Sequence, residues 1–293
     1  MRNIRVHACT LLSALTLPLC AATTAHAGTG IAPPISTTIE PALDCTPSPD
    51  RPNPVVLLAG FGAVGDITAT INKQMAGIMT GIRTGGGCAL PFAYGIIGPM
   101  HAAAGVPESA QQLSDFIEKV LATTEATHVD IVAHSSGALV ANYYLKFLHG
   151  SPQVEHAVFL APVTRGTTAA TLTAGINLTA TPDGPGGLLY STLDPLRDTL
   201  LTNFQGALDC LSGSEITQQI LEGGITQPGV TYAVLSTRGD QILTPVGTAS
   251  FIEEPGVENA FLEDLSPEAG TSTHAALPMT PAATQWTLNH LYS

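Results

Sequence analysis

One short stretch near the middle of the chain joins a strand directly to a helix. The residues Val-Asp-Ile-Val-Ala at 129–133 predict a strand, and residues 138–148 predict an apolar helix. The link between them is too short for an ordinary loop, so the strand must run into the helix through a tight turn. Such a connection is typical of parallel α/β sheets, which restricts the architecture of the whole chain.

The remaining sequence continues this alternation of strands and helices. Apolar runs predict strands over 54–59, 89–94, 154–160 and 230–235, and helical spacing predicts helices over 67–79, 108–126 and 281–291. A Pro- and Thr-rich extended segment over 28–53 leads into them. Residues 163–212 interrupt the alternation, and we interpret them as an insertion that forms a cap or lid. At 293 residues the chain needs one large domain over 28–293, a mostly parallel sheet flanked by helices.

The tight turn carries the residues Ala-His-Ser-Ser-Gly at 133–137. A serine in a strand-to-helix turn presents its hydroxyl at the edge of the sheet, and the residues two before and two after it must be small. Ala133 and Gly137 meet this condition for Ser135, whereas a nucleophile at Ser136 would place His134 in a crowded position. We therefore predict Ser135 as a nucleophile and the N–H of Ser136, at the helix start, as an oxyanion donor.

A glycine-rich loop over 60–65 follows the strand at 54–59. The corresponding loop of an α/β-hydrolase supplies the second oxyanion N–H, and we predict Phe61 as its donor. The loop also matches G-x-G-x-x-G, the dinucleotide-binding fingerprint. That site needs an acidic residue about 20 positions further on, and none occurs between Ile67 and Pro107.

A nucleophilic serine needs a histidine to accept its proton and an acid to orient that histidine. In an α/β-hydrolase the acid follows the serine along the chain, and the histidine follows the acid. His274 lies in a polar loop before the last predicted helix and is the preferred base. The other histidines after Ser135 are His149, His156 and His290. Asp240 follows the strand at 230–235 and is the preferred acid.

Three other acids remain alternatives to Asp240. Asp264 belongs to an acidic run over 253–268 that we expect to be a solvated surface. Asp194 and Asp198 belong to the predicted cap.

The first 27 residues have the form of a signal peptide. Two arginines precede an apolar stretch over 6–19, and Ala-His-Ala at 25–27 fits a cleavage site. A lipoprotein anchor at Cys20 fits less well, because a leucine precedes it where a small residue is expected. No later stretch is apolar over the roughly 18 residues that a membrane span needs. We expect a secreted protein without a transmembrane segment.

Charge and cysteine content narrow the class further. A net charge of −13 with ten basic residues argues against nucleic-acid binding, which needs clustered cations. Without the signal peptide, Cys45, Cys88 and Cys210 remain. Their odd number predicts one disulfide and one free thiol in an oxidising compartment. None of their spacings suits a metal.

These motifs resemble the secreted bacterial class 2 triacylglycerol lipases and, more distantly, the yeast lipase B type. The resemblance covers roughly residues 35–292. It rests on Asn-Pro-Val-Val-Leu-Leu at 53–58, on residues 129–137, 143–148 and 229–232, and on the Asp240 and His274 loops. It implies the α/β-hydrolase fold, a Ser135–Asp240–His274 triad, fatty-acid esters as substrates, and no metal or cofactor.

The chain departs from this family at three places. Ala59-Gly60 stands where His-Gly is usual, and Phe61 stands where the lipase B type has a threonine whose hydroxyl adds a donor. Backbone N–H groups must then serve alone. Ser136 replaces a common glutamine whose main-chain N–H is the part needed.

The third departure concerns the cysteines. Cys210 matches one member of the family's second cysteine pair, but Ser266 stands roughly where the other would be. The resemblance thus implies a Cys45–Cys88 bridge and an unpaired Cys210.

Together these features predict a monomeric serine hydrolase that cleaves carboxylic esters, with a lipid ester, presented at an oil–water interface, as its substrate. A short-chain esterase, polyesterase, amidase or acyltransferase would use the same residues. A non-catalytic surface-binding protein would not need the triad, and the intact order of its three residues argues against that reading.

Overall fold

The described strands of this protein form one seven-stranded sheet. The computed structural model describes residues 35–62, 65–168 and 204–292. In that part of the chain the strands are β1 (Thr37–Ile39), β2 (Val55–Leu58), β3 (Ala89–Ile96), β4 (Val129–His134), β5 (Val154–Leu160), β6 (Thr231–Ser236) and β7 (Glu258–Phe261). The α-helices are α1 (Ile67–Gln74), α2 (Ala76–Thr84), α3 (Val106–Thr124), α4 (Ser136–Phe147), α5 (Gln205–Asp209), α6 (Glu215–Leu221), α7 (Leu262–Leu265) and α8 (Pro281–Leu291).

The strand order places β4 at the centre of the sheet. The order is β1-β3-β2-β4-β5-β6-β7, and every neighbouring pair is parallel except β1 with β3. On β4, Val132 lies opposite Leu57 of β2 and Val158 of β5. Because parallel strands share one carboxyl edge, the loops after β2, β4 and β6 meet at the same side of the sheet.

Burial explains why the central strands are mostly apolar. Every residue of β2 and β4 is buried, since helices cover both faces of the sheet. Phe92 of β3 stacks on Phe116 of α3 with ring centroids 4.4 Å apart. Helix α3 also packs on α4, and α2 packs on α8. These elements confirm the predicted mostly parallel sheet flanked by helices.

Two edge strands differ from the prediction. Strand β1 lies within the predicted extended lead-in, and β7 lies within the acidic run over 253–268. Both are short and only partly buried, so neither carries the continuous apolar pattern of an inner strand. The acidic run is therefore not a uniformly solvated surface, because Leu262, directly after β7, is fully buried.

The predicted cap and signal peptide lie largely outside the described residues. Residues 169–203 and 1–34 belong to the undescribed part of the chain. The two described ends of the cap segment are joined, since the N–H of Thr167 donates to the carbonyl of Cys210 at 2.8 Å and that of Ser212 donates to Thr167 at 2.9 Å. Among the described helices, none combines the length and apolar character required to cross a bilayer.

A disulfide joins Cys45 to Cys88, with their Cα atoms 5.7 Å apart. The bridge ties the segment after β1 to the start of β3, and it confirms the predicted pairing. Cys210 is buried and free. Burial raises the pKa of its thiol to about 12, so it stays protonated at neutral pH.

Candidate active site

Ser135 lies in a strained turn between β4 and α4. Its φ of 54° and ψ of −125° fall outside the regions that ordinary residues favour. The turn is held by its neighbours, because the Ser135 N–H donates to the carbonyl of Leu160 at 3.1 Å and its carbonyl accepts from the N–H of Val163 at 3.2 Å. A Cβ on Gly137 would lie 2.8 Å from the carbonyl oxygen of Leu58, so this position requires glycine.

The structure brings Ser135, His274 and Asp240 into one hydrogen-bonded line. The His274 Nε2 lies 2.9 Å from the Ser135 Oγ, and its Nδ1 lies 2.7 Å from the Asp240 Oδ2. All three residues are buried. They come from the carboxyl ends of β4 and β6 and from the loop before α8, which are the loops that the parallel sheet places together.

The second oxygen of Asp240 is fixed by the backbone. Its Oδ1 accepts from the N–H groups of Ile242 and Leu243, both at 2.8 Å. Burial raises the pKa of Asp240, but the hydrogen bond and charge of His274 and these two N–H groups outweigh it and hold that pKa below its usual value. The carboxylate thus stays ionised and keeps one oxygen for His274.

Glu263 holds the turn that carries Asp240. Its carboxylate accepts from the Thr237 hydroxyl at 2.6 Å and from the N–H of Arg238 at 3.1 Å. The neighbouring Asp264 instead forms two hydrogen bonds of 2.8 Å with the Arg238 guanidinium and is largely exposed. The Asp264 carboxylate therefore forms an ion pair with Arg238 and does not contact His274.

The other alternative acids, Asp194 and Asp198, lie outside the described residues. Of the remaining histidines, His156 pairs with Asp130 at 2.9 Å and His290 with Glu258 at 3.2 Å. Neither is bonded to Ser135.

His134 is a site residue that the sequence analysis did not assign. Its Nε2 donates a hydrogen bond to the carbonyl oxygen of His274 at 3.1 Å. Burial lowers the pKa of His134 to about 3, so its ring is neutral at pH 7. The residue before Ser135 thus anchors the loop of His274, a contact between distant segments that no local pattern reveals.

The loop after β2 lies directly against Ser135. A Cβ on Gly60 would come within 2.7 Å of the Ser135 Cβ and 3.2 Å of its Oγ, so only glycine fits. Phe61 is partly buried against the core. Ser136 begins α4, so its N–H has no earlier carbonyl of that helix to bond. Of the two predicted oxyanion residues, Ser136 thus directly follows the nucleophile candidate, and Phe61 directly follows the glycine that lies against it.

One cluster of possible metal ligands lies elsewhere. Asp130, Glu155 and His156 have ligand atoms within 4.8 Å of one another near the amino ends of β4 and β5. Asp130 already accepts hydrogen bonds from His156 and Asn53, and Asn53 also donates to Glu155 at 2.6 Å. These contacts account for the cluster as a partly buried hydrogen-bond network at the end of the sheet opposite Ser135.

Comparison with known proteins agrees with this geometry. A family model described as Lipase (class 2) matches residues 95–250, which is more than half of the chain. Aspergillus fumigatus lipase B superposes with a TM-score of 0.64 at 16% identity, over 87% of this chain and 56% of that one. This chain therefore spans little more than half the length of that lipase.

Two further solved structures share the fold over most of their length. A Bacillus licheniformis lipase in its mature form has a TM-score of 0.56 at 10% identity, over 88% of this chain and 98% of that chain. A carboxylesterase structure from the thaumarchaeon Nitrososphaera gargenis has a TM-score of 0.52 at 12% identity, over 87% and 92%. At such low sequence identity, these structural matches establish the α/β-hydrolase fold alone. Because the family model matches more than half of its length, the chain belongs to the class 2 lipase family.

Proposed function

We propose that this protein cleaves carboxylic esters by two-step acyl transfer on Ser135. The observation that carries the proposal is the unbroken line from the Ser135 Oγ through His274 to Asp240, with distances of 2.9 and 2.7 Å. A serine hydroxyl is a weak nucleophile until a base accepts its proton, and this line provides a base with its orienting acid.

In the first step, the His274 Nε2 accepts the proton of Ser135 as the Oγ attacks the ester carbonyl. Asp240 holds the imidazole and stabilises its positive charge. His274 then protonates the departing alcohol, which leaves an acyl-enzyme. In the second step, a water molecule gives a proton to His274 and attacks the acyl carbon. The bond between that carbon and the Ser135 Oγ then breaks, His274 returns its proton to the Oγ, and the carboxylic acid leaves.

The developing oxyanion needs donors that are in place before the reaction. The N–H groups of Phe61 and Ser136 are our proposed pair, since Gly60 packs on Ser135 and Ser136 lies at the first position of α4. The positive end of the α4 dipole adds to the stabilisation.

Triacylglycerols are the proposed substrates. The support is the match to a lipase family and the fold shared with two lipases. A short-chain esterase, polyesterase, amidase or acyltransferase would use the same residues, so substrate assays must separate them. The cap that we propose for residues 163–212 rests on the sequence alone, because residues 169–203 lie outside the described part of the chain.

A fluorophosphonate probe tests the mechanism directly. We expect it to label the mature protein at Ser135, to label Ser136→Ala equally, and to leave Ser135→Ala unlabelled. A nitrophenyl ester series of increasing acyl length, together with emulsified triglyceride, then tests the substrate. Hydrolysis confined to short acyl chains would contradict the lipase proposal, and absence of labelling would contradict the mechanism.

Export through a signal peptide over residues 1–27 is a further part of the proposal. The Cys45–Cys88 disulfide supports it, because such bridges persist mainly in oxidising compartments. Amino-terminal sequencing of protein from the culture medium should begin at Gly28. Retention in the cell with residues 1–27 intact would contradict export.

A further inference from the structure

His101 is a fully buried histidine that the proposed mechanism does not use. It follows β3, and its side chain has no exposed surface. Its Nδ1 lies 3.1 Å from the carbonyl oxygen of Gly60, and its own carbonyl accepts from the N–H of Gly62 at 3.4 Å. One residue therefore holds the loop beside Ser135 on both sides of Phe61.

The protonation state of His101 follows from its surroundings. Burial lowers its pKa to about 4, against a smaller opposing effect of the Gly60 carbonyl, so the ring carries one proton at pH 7. A carbonyl oxygen can only accept, which places that proton on Nδ1. The His101 ring also contacts the Tyr94 ring in an edge-on arrangement, with the ring centroids 4.6 Å apart.

The remaining nitrogen of His101 has no partner among the described residues. Its Nε2 is buried without a hydrogen bond. Burying an unpaired acceptor is unfavourable, a cost that an apolar ring at this position would not carry. The hydrogen bond from Nδ1 to the Gly60 carbonyl is therefore the contact that distinguishes a histidine from an apolar ring at this position.

Peptide geometry shows what this bond controls. The Gly60 carbonyl and the Phe61 N–H belong to one planar trans amide, so they point in opposite directions. Fixing the carbonyl towards His101 fixes the direction of the Phe61 N–H. This amide lies beside the nucleophile candidate, since a Cβ added to Gly60 would come within 2.7 Å of the Ser135 Cβ.

We propose that His101 is a positioning residue for the oxyanion site, holding the Gly60–Phe61 amide so that the Phe61 N–H faces the developing oxyanion. This inference rests on the proposed acyl transfer at Ser135. Without the bond, the amide can rotate and turn a carbonyl oxygen towards the oxyanion. Phe61 carries no hydroxyl that could replace the lost donor.

The loop offers a closely matched control. The hydroxyl of Tyr94 donates to the carbonyl of Ala59 at 2.7 Å, one peptide earlier than the His101 bond. Tyr94→Phe and His101→Phe each remove one buried donor from the same loop and keep an aromatic ring. They differ in which amide is released, and the Ala59–Gly60 amide does not contain the Phe61 N–H.

The test compares kcat and KM on a nitrophenyl ester for wild type and three variants. His101→Phe should lower kcat about 10²-fold, as expected for loss of one oxyanion donor, with KM within about twofold. Tyr94→Phe should stay within about tenfold of wild type. His101→Asn should recover most of the kcat, since its amide nitrogen can occupy the place of Nδ1.

Two outcomes overturn the inference while wild type remains active. One is a wild-type kcat in His101→Phe, and the other is an equal loss in Tyr94→Phe. NMR of the ¹⁵N-labelled wild type gives an independent measurement that needs no variant to fold. It should show the Nδ1–H tautomer for His101, and an Nε2–H tautomer would refute the proposal. A wild type that neither hydrolyses esters nor reacts with fluorophosphonate would instead refute the proposed function, and this inference with it.

Discussion

Ser135 and Ser136 are adjacent buried serines with different tasks in the proposed mechanism. Only Ser135 places its Oγ within 2.9 Å of the His274 Nε2. Ser135→Ala should therefore lower kcat by about 10³-fold or more, whereas Ser136→Ala keeps its main-chain N–H and should retain most activity. Turnover of a soluble nitrophenyl ester measures both, and exchanged phenotypes would show that the nucleophile is Ser136.

The choice of acid is tested by two matched substitutions. Asp240→Asn should lower kcat by about 10⁴-fold with the fold intact, because the amide favours the wrong tautomer of His274. Asp264→Asn should have little effect, since its carboxylate is exposed and bonded to Arg238. Circular dichroism checks that both variants fold. A mild defect in Asp240→Asn together with a severe defect in Asp264→Asn would show that the acid is Asp264, which follows β7.

At the scale of elements, burial decided which parts of the fold could be predicted. Strand β4 is buried on both faces, so most of its residues are apolar and β-branched residues recur in it, a pattern that predicts a strand even though it contains Asp130. Strands β1 and β7 lie at the two edges of the sheet, where half-exposed positions accept polar residues such as Glu258. Their sequences therefore resemble loops.

The site was predictable only where chemistry imposes a local pattern. The turn at Ser135 needs small residues at fixed spacing, which the sequence displays. The contacts of His101 with Gly60 and of His134 with His274 join segments 41 and 140 residues apart. Such contacts depend on the folded path of the chain, so the surrounding sequence carries no trace of them.

The Cys45–Cys88 disulfide links the segment after β1 to the start of β3. The bridge closes a loop across 43 residues, which restricts the unfolded chain, so Cys45→Ser should lower the free energy of unfolding by roughly 2–4 kcal/mol. Urea denaturation measures this difference. Reduced wild type should show a similar loss, which provides the control.

Counting thiols gives a separate check on the same bridge. The denatured, unreduced protein without residues 1–27 should contain one reactive thiol, that of Cys210. Three reactive thiols would contradict the disulfide. None would indicate that Cys210 joins two chains.

At the scale of the whole molecule, two buried histidines connect the site to stability. Burial lowers the pKa of His101 to about 4 and that of His134 to about 3, whereas an unfolded histidine has a pKa near 6.5. Other groups titrate differently. The hydrogen bond with Asp130 raises the pKa of His156. The stability that His156 contributes is therefore fully present below about pH 6.5 and is lost as the pH rises through the higher pKa of the folded state. Burial raises the pKa of Asp130 itself, which opposes acid unfolding.

The difference between wild type and a His101 variant isolates one of these histidines. Between pH 6.5 and about 4 the unfolded chain binds a proton at His101 that the folded chain does not, so acidification favours unfolding. The free energy of unfolding of wild type should therefore fall more steeply with decreasing pH than that of His101→Asn, by about 1.4 kcal/mol per pH unit. Urea denaturation at pH 6.5, 5.5 and 4.5 measures both slopes, and the contributions of His156 and the carboxyl groups cancel in their difference. Equal slopes would mean that His101 is protonated in the folded protein, which would contradict its burial as a neutral ring.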